Sequence, residues 1–378
     1  MVGRRAPLTG DPDVRAALVL AATPGLGSLG IHRLVREMGS PCAVLARPDR
    51  VRERIRGGGD PGLADPARGR EADRILERCV ELGIRVLAIG TPDYPKRLLE
   101  ATPPPPVLYL RGRMELLEAP AVGIVGSRKA TAPGRRTAER IARDLSRAGV
   151  AVVSGMALGI DAAAHRGALE GPGGTIAVLG RGPDRAYPVA NGALFRQVSE
   201  EGLLVSEFPP GTVPRAHHFP RRNLILAALS SAVLVVEAGR RSGALNTVGH
   251  AGDMGRDVMA VPGCVEWEQA AGTNRLLRDG AGLVLNARDV LEGASIRRPL
   301  PEVGEQGSLL LAEEPRKSGG HGDDPGDRLV ALLGERPLPL EELLPRSGLP
   351  VSRLLVGLTR LELEGRVLRE ADGWRVAS

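Results

Sequence analysis

Four short stretches of this chain carry the residue types that hold phosphate: Gly126-Ser127-Arg128-Lys129, Ser154-Gly155, His218-Phe219-Pro220-Arg221-Arg222-Asn223 and Ser242-Gly243. Glycines let backbone N–H groups come close to an anion, hydroxyls add donors, and a guanidinium grips two phosphate oxygens at once. Any one of these arginines also fits a solvated face or a surface ion pair. The reading therefore rests on recurrence, because cations return at three proposed strand ends. The candidate phosphate-holding residues are Gly126, Ser127, Arg128, Lys129, Gly155, His218, Arg221, Arg222, Asn223, Ser242 and Gly243.

Signatures of bond-breaking chemistry are sparse. Gly123-x-x-Gly126 lacks the G-x-G-x-x-G dinucleotide fingerprint, and no G-x-x-x-x-G-K-[ST] loop occurs. Asp161 and His165 stand four apart and pair on paper as acid and base, yet such a pair is more often a helix-start carboxylate with a hydrogen-bonded partner. Glu237 is a lone strand-end carboxylate, thin support for hydrolysis without a positioned partner. The three cysteines, Cys42, Cys79 and Cys264, form no C-x-x-C pair and have no histidine at ligand spacing. No cofactor and no metal is expected, and the cysteine usage fits a reducing, cytoplasmic setting.

Holding such loops together requires a particular frame. Apolar runs at Val122–Val125, Val150–Ser154, Thr175–Leu179, Leu203–Glu207, Ala232–Glu237 and Val258–Val261, with a short one at Leu283–Leu285, alternate with helical patterns such as Arg135–Arg147. Strands apolar on both faces belong to a sheet covered by helices on each side. The alternation predicts an α/β fold, a Rossmann-like doubly wound parallel sheet over residues 113–293, with ligands at the carboxyl ends of its strands.

The flanks read differently. Residues 1–62 hold a helix at Asp13–Ala22, a Gly-containing turn and a second amphipathic helix at Ile31–Met38, the outline of a helix-hairpin-helix (SAM-like) domain. Its glycine N–H groups either touch phosphate or only make the turn. Arg47–Arg70, rich in Gly, Pro, Asp and Arg, reads as a loop or an insertion. Residues 63–112 read as a connecting segment with strands at Ile84–Ile89 and Val107–Leu110, residues 294–325 as a flexible linker, and residues 326–378 as a small winged-helix domain. The third helix of that domain is crowded by Leu354, Leu355, Leu358 and Leu361, so DNA binding and protein docking both stay open.

Composition narrows the partner. The 378 residues carry a net charge of +6, 42% hydrophobic and 25% charged residues, which suits a partner bearing phosphates without demanding one. Aromatics make up 2%, which argues against an array of stacking platforms, so a nucleic acid would be held mainly by its backbone. No apolar run approaches the roughly 20 residues of a membrane span.

The motifs together resemble the DNA-processing protein A family, also called DprA or Smf, which acts in natural transformation. The matching segments are Ile124–Ala130, Val153–His165, Gly174–Gly180, His218–Asn223, Val235–Leu245, Val261–Gly263 and Gly272–Leu276. The resemblance implies a dimeric, single-stranded DNA-binding mediator that protects incoming strands and loads the RecA recombinase, with no catalysis; Ser127, Arg128, Gly155, Arg221, Arg222 and Asn223 would form its strand-binding pocket. Three departures stand out: Leu158 where the family usually carries arginine, the text of Asn246–Gly255, and Cys264–Gln269, which interrupts a customary Gly- and Pro-rich link. A nucleotide-binding sensor or a phosphoribohydrolase-like enzyme on a related sheet is the alternative, with Glu237 acting on a glycosidic bond, although the P-G-G-x-G-T-x-x-E signature of such enzymes is missing.

Overall fold

A computed structural model describes residues 11–55, 62–63, 65–296, 325–334, 337–348, 351–370 and 373–377. The chain divides into two compact units, 1–304 and 305–378. The first is organised on nine strands: β1 (Arg85–Ala88), β2 (Val107–Gly112), β3 (Ala121–Val125), β4 (Ala151–Ser154), β5 (Thr175–Leu179), β6 (Leu203–Ser206), β7 (Ala232–Val235), β8 (Asp257–Ala260) and β9 (Gly282–Leu283). Their spatial order is β1-β2-β6-β5-β4-β3-β7-β8-β9. From β6 to β9 every pairing is parallel, as the β-α alternation requires.

Successive strand residues enter opposite layers. Val122 and Ile124 pack with helices Ala132–Arg147, Ile160–Leu169 and Ala287–Gly293, while Ala121 and Val125 join the layer under helices His218–Leu229 and Ala244–Asp253. Both faces are thus buried, which explains why the strands read as unbroken apolar runs.

The two strands expected in the connecting segment join the main sheet. β2 pairs antiparallel with β6, and β1 antiparallel with β2, so the parallel sheet gains a mixed edge. Helices Pro12–Ala21 and Gly27–Met38 form the expected hairpin, with Gly25 at φ +80 in the turn. Leu20, Ile31 and Leu34 of that hairpin share a core with Leu108 and Leu110 of β2. Arg47–Arg70, expected to be a loop, holds helix Pro48–Arg54 and the start of helix Pro66–Glu81. Their prolines occupy the first helical position, where a missing N–H costs nothing.

The second unit has helices Pro325–Leu332, Leu340–Ser347 and Val351–Leu363, followed by the antiparallel pair β10 (Val367–Glu370) and β11 (Gly373–Val376). Leu354, Leu358 and Leu361 are buried against Leu329, Leu343 and Trp374, whereas Leu355 stays 39% exposed. The linker expectation for 294–325 falls outside the described residues except at its two ends.

One junction fixes the loop after β3. Helix Ala132–Arg147 starts from Thr131, whose hydroxyl oxygen accepts the Gly134 N–H (3.1 Å) and whose O–H donates to Glu237 Oε1; Glu237 Oε2 accepts the Thr131 N–H at 2.9 Å. Thr131→Ala removes both the cap and a partner of a buried carboxylate. Its unfolding free energy in urea should fall by about 0.5–2 kcal/mol, and Thr131→Ser should recover most of it. Equal stability of all three proteins would contradict this role.

Candidate functional site

Strand β3 sits where the strand order changes direction: β4 follows on one side and β7 lies on the other. At such a point the loops diverge and leave a crevice at the carboxyl ends of the strands. Here a cavity of about 910 Å³ opens, lined by residues following β3 and β7, by Ala157 and Asp161 after β4, and by the first turns of helices His218–Leu229 and Ala244–Asp253.

The loop after β3 is laced in place by backbone bonds. Ser127 N–H donates to the Glu237 carbonyl (2.7 Å), Ile160 N–H donates to the Ser127 carbonyl (3.2 Å), and Lys129 N–H donates to Ser127 Oγ (3.1 Å). Close approach is possible because side chains are absent. A Cβ on Gly126 would lie 2.6 Å from Ile160 and 2.8 Å from the Glu237 carbonyl, and Gly159, at φ +80, packs against the Ser127 carbonyl.

Charge in the cavity is lopsided. Arg128, Lys129, Arg222, Arg240 and Arg241 line it against two carboxylates, Asp161 and Glu268. Arg222 is 6% exposed. Its guanidinium donates to the Gly155 carbonyl, to the Val178 carbonyl (3.3 Å) and to Asn223 Oδ1 (2.9 Å). Burial pulls its pKa down while nearby Asp161 supports the charge. Burial pushes the Asp161 carboxyl up, and Arg222 and Arg128 draw it back. The Phe219 ring is near two guanidinium groups, Arg128 at 5.4 Å and Arg222 at 5.7 Å from its centroid. A solvent-open cavity with one buried and four exposed cations is suited to an anion, and phosphate matches guanidinium forks of this kind.

Gly126, Ser127, Arg128, Lys129, Arg222, Asn223, Ser242 and Gly243 all line this one cavity. Gly155, His218 and Arg221 are not among its lining residues. Gly155 lies beneath Arg222, where any Cβ would collide with the guanidinium. His218 is 5% exposed, with Nδ1 3.1 Å from the Gly180 carbonyl and its ring stacked 4.0 Å from Phe208. Arg221 pairs with the buried Glu207 and lies 3.4 Å from Ser28 of the N-terminal hairpin. The cause is helical: His218–Asn223, expected as a strand-end loop, is the first turn of a helix, and neighbours there diverge by about 100°. Arg222 turns into the cavity and Arg221 away from it.

The phosphate-holding residues expected from the sequence leave out four that line the cavity: Arg240, Arg241, Asp161, weighed only as an acid, and Phe219, quoted only as part of its stretch. The arginine pair directly before Ser242-Gly243 was a usable signal. Phe219 offered none, since its role depends on which way the helix turns. Glu237 is used up in holding Thr131 and the Ser127 loop, and His165 is structural. His165 Nε2 accepts the Met156 N–H (3.2 Å) and Nδ1 lies 2.7 Å from Thr175 Oγ1, whose hydroxyl donates to the Val152 carbonyl (2.8 Å). That network assigns the ring proton to Nδ1. Among the described residues no cluster of three His, Cys, Asp or Glu could hold a metal, and the three cysteines are free.

Residues 85–295 match the family model described as DNA recombination-mediator protein A, and residues 313–373 match that of the DprA winged helix domain. A putative DNA processing protein DprA of Mycobacterium tuberculosis is 36% identical over 363 residues, spanning 89% of this chain and 91% of that protein. The X-ray structure of DNA processing protein A from Streptococcus pneumoniae superposes with a TM-score of 0.63 at 32% identity, over 76% of this chain and 98% of that one. A structure of the Helicobacter pylori protein, described for its single-stranded DNA binding mode, gives 0.51 at 29% identity, over 55% and 94%.

His165 supplies a pH test of the loop that leads to Ala157 and Asp161. Burial lowers its pKa from 6.5 to about 3, so between those values the unfolded chain takes a proton that the folded chain refuses. Stability should be full above pH 6.5 and fall toward pH 3, with this residue contributing up to about 1.4 kcal/mol per pH unit. In urea titrations from pH 7 to 4, His165→Gln should flatten that slope. Parallel slopes in the two proteins would show that His165 is not a buried neutral group.

Proposed function

This chain belongs to the DNA recombination-mediator protein A family, also called DprA or Smf, and from that premise we propose that it binds single-stranded DNA by its sugar–phosphate backbone without transforming it. The observation that carries the reading is the cavity at the β3/β7 crevice, where five cations face two carboxylates. Guanidinium forks and bare amides grip phosphate oxygens whatever the base, so the contact positions a strand without reading it. The Helicobacter pylori relative, described as binding single-stranded DNA, supports the choice of ligand.

Within that reading the protein works as a recombination mediator in the cytoplasm. It shields incoming single strands during natural transformation and hands them to a RecA recombinase. It does so as a non-catalytic binder. In support, Glu237, the carboxylate a nucleotide-cleaving enzyme would need, is committed through both oxygens to Thr131. Among the described residues no helix is long and apolar enough to cross a membrane.

A homodimer is part of the same proposal. Among the described residues strand β9 pairs only with β8, which leaves its outer edge open, and Leu283 within it and Leu285 just after it are 56% and 57% exposed. An open edge flanked by leucines is a template for a second chain. Sedimentation should find a dimer for the natural chain and a monomer for Leu283→Asp/Leu285→Asp; an unchanged mass would place the interface elsewhere.

Binding should be strongly salt-dependent. On oligothymidylate, Arg128→Ala and Arg241→Ala should each weaken affinity and reduce the slope of log K against log salt by about 0.7 for every phosphate contact removed. Slopes identical to the unsubstituted protein in both variants would remove the cavity as the DNA site.

A further inference from the structure

The segment from Pro262 to Glu268 is exposed throughout and contains the largest solvent-facing aromatic of the first unit, Trp267, at 48% exposure. The chain holds two tryptophans, three tyrosines and three phenylalanines, so an indole left open to water is costly in a sequence this poor in aromatics. The other tryptophan, Trp374, is buried in the winged-helix core.

The exposure is built into the loop. Asn274 clasps Gly263 twice, its Oδ1 accepting the Gly263 N–H (3.1 Å) and its Nδ2 donating to the Gly263 carbonyl (2.9 Å). Trp267 N–H donates to the Cys264 carbonyl (3.1 Å), the Trp267 carbonyl accepts the Ala270 N–H (3.0 Å), and Gly272 N–H donates to the Ala238 carbonyl (2.7 Å) at the end of β7. The next residue, Glu268, lines the cavity. The loop therefore carries an indole one residue from the wall of the phosphate site. Phe219, the aromatic inside that site, has its ring engaged by Arg128 and Arg222 and by Tyr187 at 6.1 Å, so it is already committed.

We propose that Trp267 is a base-stacking position: a nucleobase of the strand whose phosphates occupy the cavity rests on its indole. Every base has a π-face, so this adds affinity for a single strand without adding sequence preference, and a duplex, whose bases are stacked on one another, gains nothing from it. The inference rests on the reading of the cavity as a single-strand site, and it adds a base contact to a site otherwise built for phosphates.

Two single strands of equal length and charge separate the two claims: oligothymidylate and an oligomer of abasic deoxyribose phosphate. Equilibrium titrations with the full chain should show tighter binding to oligothymidylate. Trp267→Ala should lose between about fivefold and about a hundredfold on oligothymidylate and nothing on the abasic strand, while Trp267→Phe keeps most of the preference. Equal affinity of the unsubstituted protein for both strands, or an equal loss on both in Trp267→Ala, overturns the stacking role and leaves the phosphate site standing. Failure of the unsubstituted protein to bind either strand overturns both.

Discussion

A buried guanidinium governs the architecture of this site. Arg222 is surrounded on nearly every side, and a charge removed from water costs several kcal/mol unless its protons and its field are answered. The carbonyls of Gly155 and Val178, the Asn223 amide oxygen and the field of Asp161 supply that answer. Gly155 follows β4, Val178 lies in β5 and Asn223 is the next residue on the same helix, so the charge acts as a clasp that draws the loop after β4 and the end of β5 to the helix following β6. Gly155 has to lack a side chain because the clasp occupies that space. The result is a positive field fixed before any ligand arrives, which is the condition under which cations bind an anion without first paying to assemble.

The remaining parts follow from this closeness. Gly126 and Gly159 let the loop after β3 lie against the loop before helix Ile160–Leu169, and Glu237 ties the end of β7 to the start of helix Ala132–Arg147. Asn223 reaches from Arg222 to Asn246 (3.3 Å), which fixes the far wall of the cavity. Exposed cations, Arg128, Lys129, Arg240 and Arg241, then stand on rigid ground. A strand that reaches them meets an arranged surface, in keeping with a binder whose work is to hold.

Much of this was readable from residue types. Strands buried on both faces announce themselves as continuous apolar runs, and β3 to β8 lie within a residue or two of where those runs predict them. Helix starts were harder. Pro48, Pro66, Pro133 and Pro220 all punctuate the text as breakers, yet each falls in the first turn of a helix, where proline is tolerated. That single ambiguity hid helix Pro48–Arg54 and made His218–Asn223 look like a loop. It also hid the division of labour between Arg221 and Arg222, which depends on helical phase. β1 and β2 were legible as strands, but their place at the sheet edge is a long-range pairing with β6 that no local pattern encodes.

The account turns on where DNA lies on the first unit. Hydrogen–deuterium exchange of the full chain, with and without a saturating single-stranded oligonucleotide at low salt, reports this directly. Slowed exchange of the amides at 126–129 and 239–243 is the predicted result. Protection confined to 325–377, with the β3 and β7 loops exchanging as fast as in the free protein, would contradict it.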